Sequence, residues 1–305
     1  MKDVVIHVSD FSKHYGDVTA VDRISFDVYR GEIFGLLGPN GAGKTTTLES
    51  LEGLRAPDGG SLQVMGVDPA HQAHKLRNQI GVQLQSSGMP DRIRVDEAMT
   101  LFCAYHGISP RFDLLDRLGL AEKKSAQYQQ LSAGLQRRLS LAVAIAHDPP
   151  VLFLDEPTAG LDVPSRVELH KLMREVQTEG TTIVLATHDM AEVEEITDRV
   201  AILLRGKIAA TGSPLELTAT GSGMTKVSVR TKGSSLSNPK VTFPGVSKHI
   251  FREDYSIYYS TDVGPTVAAI IAHIEAQKDT LIDLRVERPS LEDRFLEIVG
   301  EGNSS

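Results

Sequence analysis

Apolar and polar positions alternate along the chain in patterns that predict an α/β core. Period-two runs at 3–9 and 24–30 predict a pair of antiparallel strands. Fully apolar runs at 151–154 and 182–186 predict strands of a parallel sheet that is buried on both faces. An amphipathic pattern at 164–178 predicts a helix between these two strands. Because strand, helix and strand follow one another, we expect an α/β fold with a parallel core sheet.

The segment from about 86 to 150 is predicted to form a helical subdomain inserted into this sheet. Two sets of apolar residues recur there at helical spacing, so each set is expected to face a core. The sets are Ala98, Leu101, Phe102 and Tyr105, and Leu114, Leu115 and Leu118. The single cysteine, Cys103, has apolar neighbours and is expected to be a small buried side chain.

The amino-acid composition changes after Thr218, where glycine and serine become frequent. We therefore predict two domains, at 1–220 and 221–305. The second is expected to be a small accessory α/β domain. Its predicted elements are strands at 226–230, 256–260 and 281–286, a helix at 265–277 and a final helix from Ser290. Ser290 and Asp293 have the spacing of a capping box at the start of that last helix.

Composition narrows the range of partners. The chain has 305 residues and a formal net charge of -8, so it lacks the basic excess that is typical of proteins that bind nucleic acid. No apolar run is long enough to cross a bilayer, and the first residues lack the apolar segment of a secretion signal. We expect no nucleic-acid partner, and any work at a membrane is expected to come through a partner protein.

The most specific motif is a phosphate-binding loop. Residues 38–45 fit the pattern G-x-x-x-x-G-K-T, follow the apolar run at 33–37 and precede a helical pattern. Glycines in such a loop let backbone N–H groups surround a polyphosphate. Lys44 is expected near the outer phosphates and Thr45 at a magnesium ion. The predicted ligand is a Mg²⁺–nucleotide, held by Gly38, Pro39, Asn40, Gly41, Ala42, Gly43, Lys44, Thr45 and Thr46.

Two carboxylates and an imidazole follow the predicted buried strands. Asp155 and Glu156 come directly after one apolar run, and His188 follows the next. Ligands collect at the carboxyl ends of parallel strands, so Asp155 is expected to hold Mg²⁺ and Glu156 to orient the attacking water. His188 alone would favour a structural role. The presence of Lys44 and Glu156 in the same predicted site favours instead a contact between His188 and the γ-phosphate.

A further helix is predicted to start near residue 132. Ser132 stands at its N-cap position, and Gly134 leaves the first turn open to close approach. The N-terminus of a helix can bind an anion. The alternative is an ordinary capped helix that turns Leu135 and Leu139 towards the core.

The order of these motifs resembles that of the ATP-binding cassette (ABC) ATPases over about residues 1–215. The resemblance rests on the phosphate loop, Gln85, Leu-Ser-x-Gly at 131–134, Asp155-Glu156, Ala159-Gly-Leu-Asp162 and His188. It implies a P-loop NTPase of ABC type with an N-terminal antiparallel β subdomain. It also implies that Tyr15 stacks on the adenine of ATP, Gln85 contacts Mg²⁺ and Asp162 links two subunits.

The same resemblance implies a dimer that encloses ATP. Ser132 and Gly134 of one copy would contact the γ-phosphate held by the phosphate loop of the other copy, and a homodimer is expected. The family's usual Leu-Ser-Gly-Gly-Gln reads Leu-Ser-Ala-Gly-Leu here. Ala133 is tolerated if it is helical and costs about 1–2 kcal/mol if it needs a positive φ. Losing one hydrogen bond at Leu135 costs about 0.5–1.5 kcal/mol. We expect an active ATPase, slowed at most.

Two segments resemble the drug-resistance, daunorubicin-type ATPases that pair with ABC-2 type permeases in bacteria. They are Leu135-Gln-Arg-Arg-Leu139 and the C-terminal segment 289–300. This resemblance implies an exporter subunit that uses ATP and Mg²⁺ as a peripheral protein on the cytoplasmic face of the cell membrane. The alternatives are an importer's ATPase subunit, a regulatory ATP-binding subunit, and a soluble cassette ATPase that acts on ribosomes or DNA. The last usually has two cassettes or a long coiled coil, and this chain has neither.

Overall fold

The computed structural model describes residues 3–84, 88–219, 224–236, 241–287 and 290–302. The chain folds as two compact units, Met1–Ser213 and Pro214–Ser305. Within the described ranges no helix has the length and apolar character needed to cross a membrane.

The first unit contains two sheets. Its strands are β1 (Val4–Tyr15), β2 (Val18–Tyr29), β3 (Ile33–Leu37), β4 (Gly59–Val64), β5 (Ile80–Gln83), β6 (Val151–Asp155), β7 (Thr182–Thr187), β8 (Arg199–Leu204) and β9 (Lys207–Gly212). Its helices are α1 (Lys44–Leu51), α2 (Pro69–Leu76), α3 (Val95–Tyr105), α4 (Phe112–Arg117), α5 (Ala133–Ile145), α6 (Val163–Thr178) and α7 (Met190–Ile196).

The larger sheet has the strand order β5-β6-β7-β3-β8-β9. Its strands from β5 to β8 pair in parallel, whereas β9 pairs antiparallel to β8. Every residue of β3, β6 and β7 is buried, which confirms the strands predicted from fully apolar runs. The helix predicted between β6 and β7 is also present, as α6. The smaller sheet has the order β2-β1-β4 and is antiparallel, so the predicted N-terminal pairing is confirmed as well.

The helical segment after β5 contains α3, α4 and α5. Cys103 is fully buried, as are the leucines of α4 and its C-terminal end, so both expectations are confirmed. The face expected for α3 is only partly right, because Ala98 is buried and Phe102 packs against the helical core while the other two residues point outward. Val95, Met99 and Cys103 are buried with Ala98, whereas Leu101 and Tyr105 are 57% and 58% exposed. The packing of α3 on α5 selects the 95/99/103 stripe over the neighbouring one.

The second unit has one antiparallel sheet of order β11-β12-β10-β13. Its strands are β10 (Thr225–Thr231), β11 (Val246–Arg252), β12 (Tyr255–Ser260) and β13 (Leu281–Glu287), and its helices are α8 (Pro214–Ala219), α9 (Val263–Ala276) and α10 (Leu291–Gly302). Side chains of β10 and β12 pack with α9 in a separate core around Val227, Tyr258 and Ile270. The predicted capping box is present, because Asp293 N donates to Ser290 Oγ at 3.2 Å and Ser290 N donates to Asp293 Oδ2 at 3.0 Å.

Candidate nucleotide-binding site

The phosphate loop joins the buried end of β3 to the start of α1. Gly43 has φ 102°, and a Cβ added there would lie 2.6 Å from the carbonyl oxygen of Ala20. At Gly38 an added Cβ would lie 2.4 Å from the carbonyl oxygen of Leu203. Both positions therefore require glycine. Pro39, Asn40 and Gly41 are exposed at the tip, Ala42 is buried beneath it, and Thr45 and Thr46 open the helix.

The N-terminus of α1 has no side-chain cap among the described residues, so its first N–H groups remain available to an anion. Lys44 lies at this end, and its side chain is only 5% exposed. Its Nζ donates to the carbonyl oxygens of Gly38 at 2.8 Å and Pro39 at 3.2 Å. Burial lowers the pKa of Lys44, and the carboxylates of Glu156 and Asp155 oppose that shift. The cation is therefore held against the loop at the place where phosphate would lie.

Asp155 ends β6 opposite the phosphate loop. Thr45 Oγ1 donates to Asp155 Oδ2 at 2.8 Å, whereas Asp155 Oδ1 is buried without a hydrogen-bond partner. Burial raises the pKa of Asp155. Burying a carboxylate oxygen without a hydrogen-bond partner costs free energy unless a ligand binds to it. The hydroxyl of Thr45 and the carboxylate of Asp155 therefore fit a divalent cation.

No set of three or more His, Cys, Asp or Glu within the described residues could hold a metal ion without help. Mg²⁺ in nucleotide sites takes one or two carboxylates together with phosphate oxygens and water. Thr45 and Asp155 supply the kind of incomplete oxygen set that this arrangement needs. The predicted third ligand, Gln85, lies outside the described residues.

Glu156 adopts a backbone conformation that is rare for a residue with a side chain. Its φ is 49°, and its N–H donates to the carbonyl oxygen of Ala186 at 2.8 Å. The left-handed turn directs the buried carboxylate towards Lys44, whose Nζ lies 3.6 Å from Glu156 Oε1. His188 Nδ1 lies 2.8 Å from both carboxylate oxygens of Glu156. Strained backbone of this kind is concentrated at functional sites.

The structure therefore brings together the residues that the sequence placed at strand ends. Lys44, Glu156 and His188 form one chain of contacts, and Thr45 with Asp155 adjoins it. This arrangement can bind phosphate through the loop, hold a cation through oxygen atoms and place a carboxylate beside a half-exposed imidazole.

Ser132, Gly134 and Asp162 form a second group. Ser132 caps α5 and accepts from Leu135 N at 3.3 Å, and Asp162 caps α6 and accepts from Ser165 N at 2.8 Å. An added Cβ on Gly134 would lie 3.0 Å from Ser165 Oγ, so the two helix starts are adjacent. Hydrogen bonds from Ser165 lower the pKa of Asp162. No hydrogen bond or ion pair between described residues joins this group to the phosphate loop.

The altered 133 and 135 positions are accommodated in α5. Ala133 is its first helical residue and has no positive φ, so the strain considered for this position does not arise. Leu135 is partly buried against the helical core, and its N–H completes the Ser132 cap. The apolar side chain therefore has a packing role of its own.

Tyr15 ends β1 and is 41% exposed. Lys13 Nζ and Arg55 Cζ lie 5.7 Å and 5.5 Å from the ring centroid. An exposed ring of this kind can stack on a planar nucleotide base, and the two nearby cations favour the negative charge of the nucleotide's phosphates.

Glu52 is a buried residue that the sequence did not single out. It follows α1 one turn after Leu48, on the apolar stripe of that helix, and its Oε2 has no partner. Burial, with the nearby carboxylates of Asp155 and Glu49, raises the pKa of Glu52 to about 8. The sequence signal that could have identified Glu52 is its position four residues after Leu48, on the buried face of the helix.

Replacing Glu52 by glutamine is expected to remove part of the chain's pH dependence. The pKa in the folded chain, about 8, lies above the ordinary glutamate value of 4.5, so folding favours the protonated acid and stability falls as pH rises between these values. We expect the Glu52→Gln Tm without nucleotide to exceed the wild-type Tm at pH 8 by at least about 2–4 °C, the shift that about 1 kcal/mol produces. At pH 5 the two Tm values should nearly agree.

The matched control is Glu122→Gln, which removes an exposed carboxylate of the first unit that does not act on Glu52. It should lower Tm slightly or leave it unchanged at both pH values. A Glu52→Gln Tm that shows the same difference from wild type at pH 5 and pH 8 would count against a protonated Glu52.

A buried polar network that the sequence did not predict supports the loop after Glu156. Thr158 Oγ1 donates to Glu192 Oε1 at 2.8 Å. His170 lies between two carboxylates, with Nε2 3.3 Å from Glu192 Oε1 and Nδ1 3.1 Å from Glu195 Oε2. These contacts tie the loop between β6 and α6 to α7, which begins just after His188. The network therefore fixes the relative positions of Glu156, Asp162 and His188 through their flanking elements.

Comparison with known proteins agrees with this geometry. A family model described as ABC transporter matches residues 21–159. The chain is 35% identical to a Nod factor export ATP-binding protein I of Ralstonia nicotianae, over 97% of this chain and 94% of the relative. It is 33% identical to the daunorubicin resistance ATP-binding protein DrrA3 of Streptomyces coeruleorubidus, over 99% of this chain and 98% of the relative. A solved ATP-binding subunit of an ABC transporter aligns with TM-score 0.66 and 27% identity, over 72% of this chain and 94% of that one.

The chain belongs to the ABC transporter family, as one of its ATP-binding subunits. It is an ATPase whose hydrolysis of ATP is coupled to transport. ATPase subunits of this family work with a transmembrane permease. The predicted fold and family are thereby confirmed.

Proposed function

We propose that this chain powers a bacterial exporter of the multidrug or antibiotic type, as a pair of copies that enclose two ATP molecules. The observation that carries the proposal is the contact chain Lys44–Glu156–His188 beside the Thr45–Asp155 pair. These contacts unite a phosphate-binding cation, a buried carboxylate and a cation site at one edge of the sheet. Hydrolysis of a nucleoside triphosphate needs these three parts.

Within one copy, the phosphate loop, Lys44 and the N-terminus of α1 bind the triphosphate, and Tyr15 stacks on the adenine. Glu156 orients the attacking water, and His188 holds that carboxylate in place while its exposed ring side reaches the γ-phosphate. Thr45, Asp155 and Gln85 would hold Mg²⁺, which neutralises phosphate charge when it is bound. The ammonium group of Lys44, 3.6 Å from Glu156 Oε1, would stabilise the charge that develops on the phosphate oxygens.

The second group completes the site of the partner copy. The N-termini of α5 and α6 are adjacent and exposed, and they carry Ser132, Gly134 and Asp162. Helix N-termini in this position can contact an anion that is bound to another copy of the chain. With ATP present, each copy's α5 N-terminus would close on the phosphate loop of the other copy. Loss of the γ-phosphate removes the shared ligand, and the pair reopens.

Export, rather than import, is supported by the relatives that match nearly the whole chain. Their names refer to Nod factor export and to daunorubicin resistance. We infer a permease of the ABC-2 type as the partner and a peripheral position on the cytoplasmic face of the cell membrane. The second unit, from residue 214 onwards, is shared with these relatives because both alignments extend through it.

A groove in the first unit is suited to the permease. It has a volume of about 660 Å³ and lies between β5 and α3. Its apolar lining includes Leu54, Val82, Leu101, Phe102 and Tyr105. Large exposed apolar side chains grouped in this way mark an interaction surface, and they account for the outward position of Leu101 and Tyr105 on α3. Glu52 also lines the groove and lies near Asp155, so a docked segment would be close to the catalytic site.

Leu101→Asp is expected to uncouple the chain from its permease. A charge in the apolar groove disfavours docking, while the nucleotide contacts are untouched. Basal ATPase activity should stay within about 2-fold of wild type, whereas stimulation by the permease partner in reconstituted vesicles should fall at least about 10-fold. Leu215→Asp, at a leucine that is equally exposed but outside the groove, is the matched control. Full stimulation of Leu101→Asp would contradict this docking site.

A further inference from the structure

The edge strand β13 has one side without a strand partner among the described residues. It is the terminal strand of its sheet and pairs only with β10. Ile282 and Val286 are 51% and 47% exposed, and the strand contains no proline. Natural sheets usually protect such an edge, because an apolar strand with free N–H and C=O groups is a template for another strand.

The sequence of β13 is complementary to itself when two copies run antiparallel. With Leu284 opposite Leu284 of a second copy, Asp283 faces Arg285 on one side of the sheet and Ile282 faces Val286 on the other. The pairing also repeats by symmetry, so each opposite-charge contact occurs twice. Shifting the centre to Arg285 would oppose Arg285 with itself and Asp283 with Glu287, and shifting it to Asp283 would oppose two aspartates. Charge therefore selects one register.

In the monomer the side chains of Asp283 and Arg285 already lie at the edge that the Leu284-centred pairing would use. Arg285 Nε donates to Asp283 Oδ2 at 2.8 Å, and Tyr255 Oη donates to the same oxygen at 2.7 Å. Arg285 is exposed. The strand pairs regularly with β10 from Asp283 to Glu287, and the irregularity lies at its other end, between Leu281 and Asp283. The symmetric pairing is thus centred on the charged and regular part of the edge, and it extends into the irregular end at Ile282.

The opposite edge of the sheet lacks this property. β11 carries Lys248 and Arg252 without a carboxylate, so antiparallel self-pairing about Ile250 would oppose two cations. Phe251 on that strand is 60% exposed, more than any apolar residue of β13. Exposure of apolar groups alone does not distinguish the edges, whereas complementary charge does.

We propose that β13 is a self-association edge, along which the C-terminal unit of a second copy of this chain adds antiparallel about Leu284. This interface does not use nucleotide and is independent of the proposed enclosure of ATP. It would hold two copies together between ATP cycles and raise the effective concentration at which their phosphate loops meet.

Disulfide cross-linking of the full-length chain without nucleotide tests this edge. The only native cysteine, Cys103, is buried, so Leu284→Cys introduces one new thiol on the edge strand, at the partly buried position where two copies would face each other. We expect cross-linked dimer to form at least about 10-fold faster with Leu284→Cys than with Phe251→Cys. The latter residue is more exposed and would react faster if collisions were random.

Charge reversal then tests the register. In the Leu284→Cys chain, Arg285→Asp should slow cross-linking about 10-fold, because two like-charge pairs replace two attractive ones. Adding Asp283→Arg restores complementarity and should return the rate to within about 3-fold of the parent. Circular dichroism checks that all chains fold. Equal rates at positions 251 and 284, or no rescue by the double reversal in a folded chain, would overturn the proposal and leave the ATP-dependent dimer untouched.

Discussion

Glu156→Gln is expected to lose ATP hydrolysis almost completely while retaining ATP. Glutamine keeps the size of the side chain but cannot polarise water as a carboxylate does, and such catalytic groups contribute about 10²- to 10⁴-fold in rate. Removing a negative charge beside Lys44 and the triphosphate should leave ATP affinity unchanged or higher. Single-turnover phosphate release and equilibrium ATP binding measure the two effects separately.

The control for this variant is Glu122→Gln, which changes an exposed glutamate that is not one of the proposed site residues. It should have the wild-type rate and affinity. Hydrolysis by Glu156→Gln at a rate close to wild type would show that a group other than Glu156 orients the attacking water. A large loss of ATP affinity would mean that Glu156 acts mainly by holding Lys44.

Lys44→Ala is expected to weaken ATP binding about 10- to 100-fold. The variant removes a buried cation from the phosphate loop, and a hydrogen bond to a charged group is worth about 1.5–3 kcal/mol. Hydrolysis should fall further, because the lysine also stabilises charge as the γ-phosphate leaves. Titration with a fluorescent ATP analogue gives the Kd, and Lys75→Ala, at an exposed lysine, is the control. Equal affinities of Lys44→Ala and wild type would show that the loop binds without this cation.

Features that depend on local backbone geometry were predictable from the sequence. The turn at Gly43 and the start of α1 follow from glycine conformation and helix capping, so Lys44 and Thr45 could be placed without a structure. The cap at Ser132 is equally local. Asp155, Glu156 and His188 were predicted because parallel buried strands deliver their ends to one edge.

Features that depend on packing between distant segments were not predictable. The buried face of α3 depends on α5, so Leu101 was assigned to the core although it lines a groove. The network of Thr158, His170 and Glu192 is formed by contacts between residues 34 and 22 positions apart. β11 was missed because its pattern is mostly polar, and it is a strand only because β12 pairs with it.

The central claim is that two copies complete each other's ATP site, and mixing two disabled chains tests it most directly. Lys44→Ala lacks a working phosphate loop, and Ser132→Arg blocks the α5 N-terminus, so neither should hydrolyse ATP alone. In an equal mixture half of the pairs combine the two chains and hold one complete site, which predicts about a quarter of the wild-type rate per chain. A mixture as inactive as its components, or a Ser132→Arg chain that hydrolyses ATP alone at the wild-type rate, would contradict the shared site.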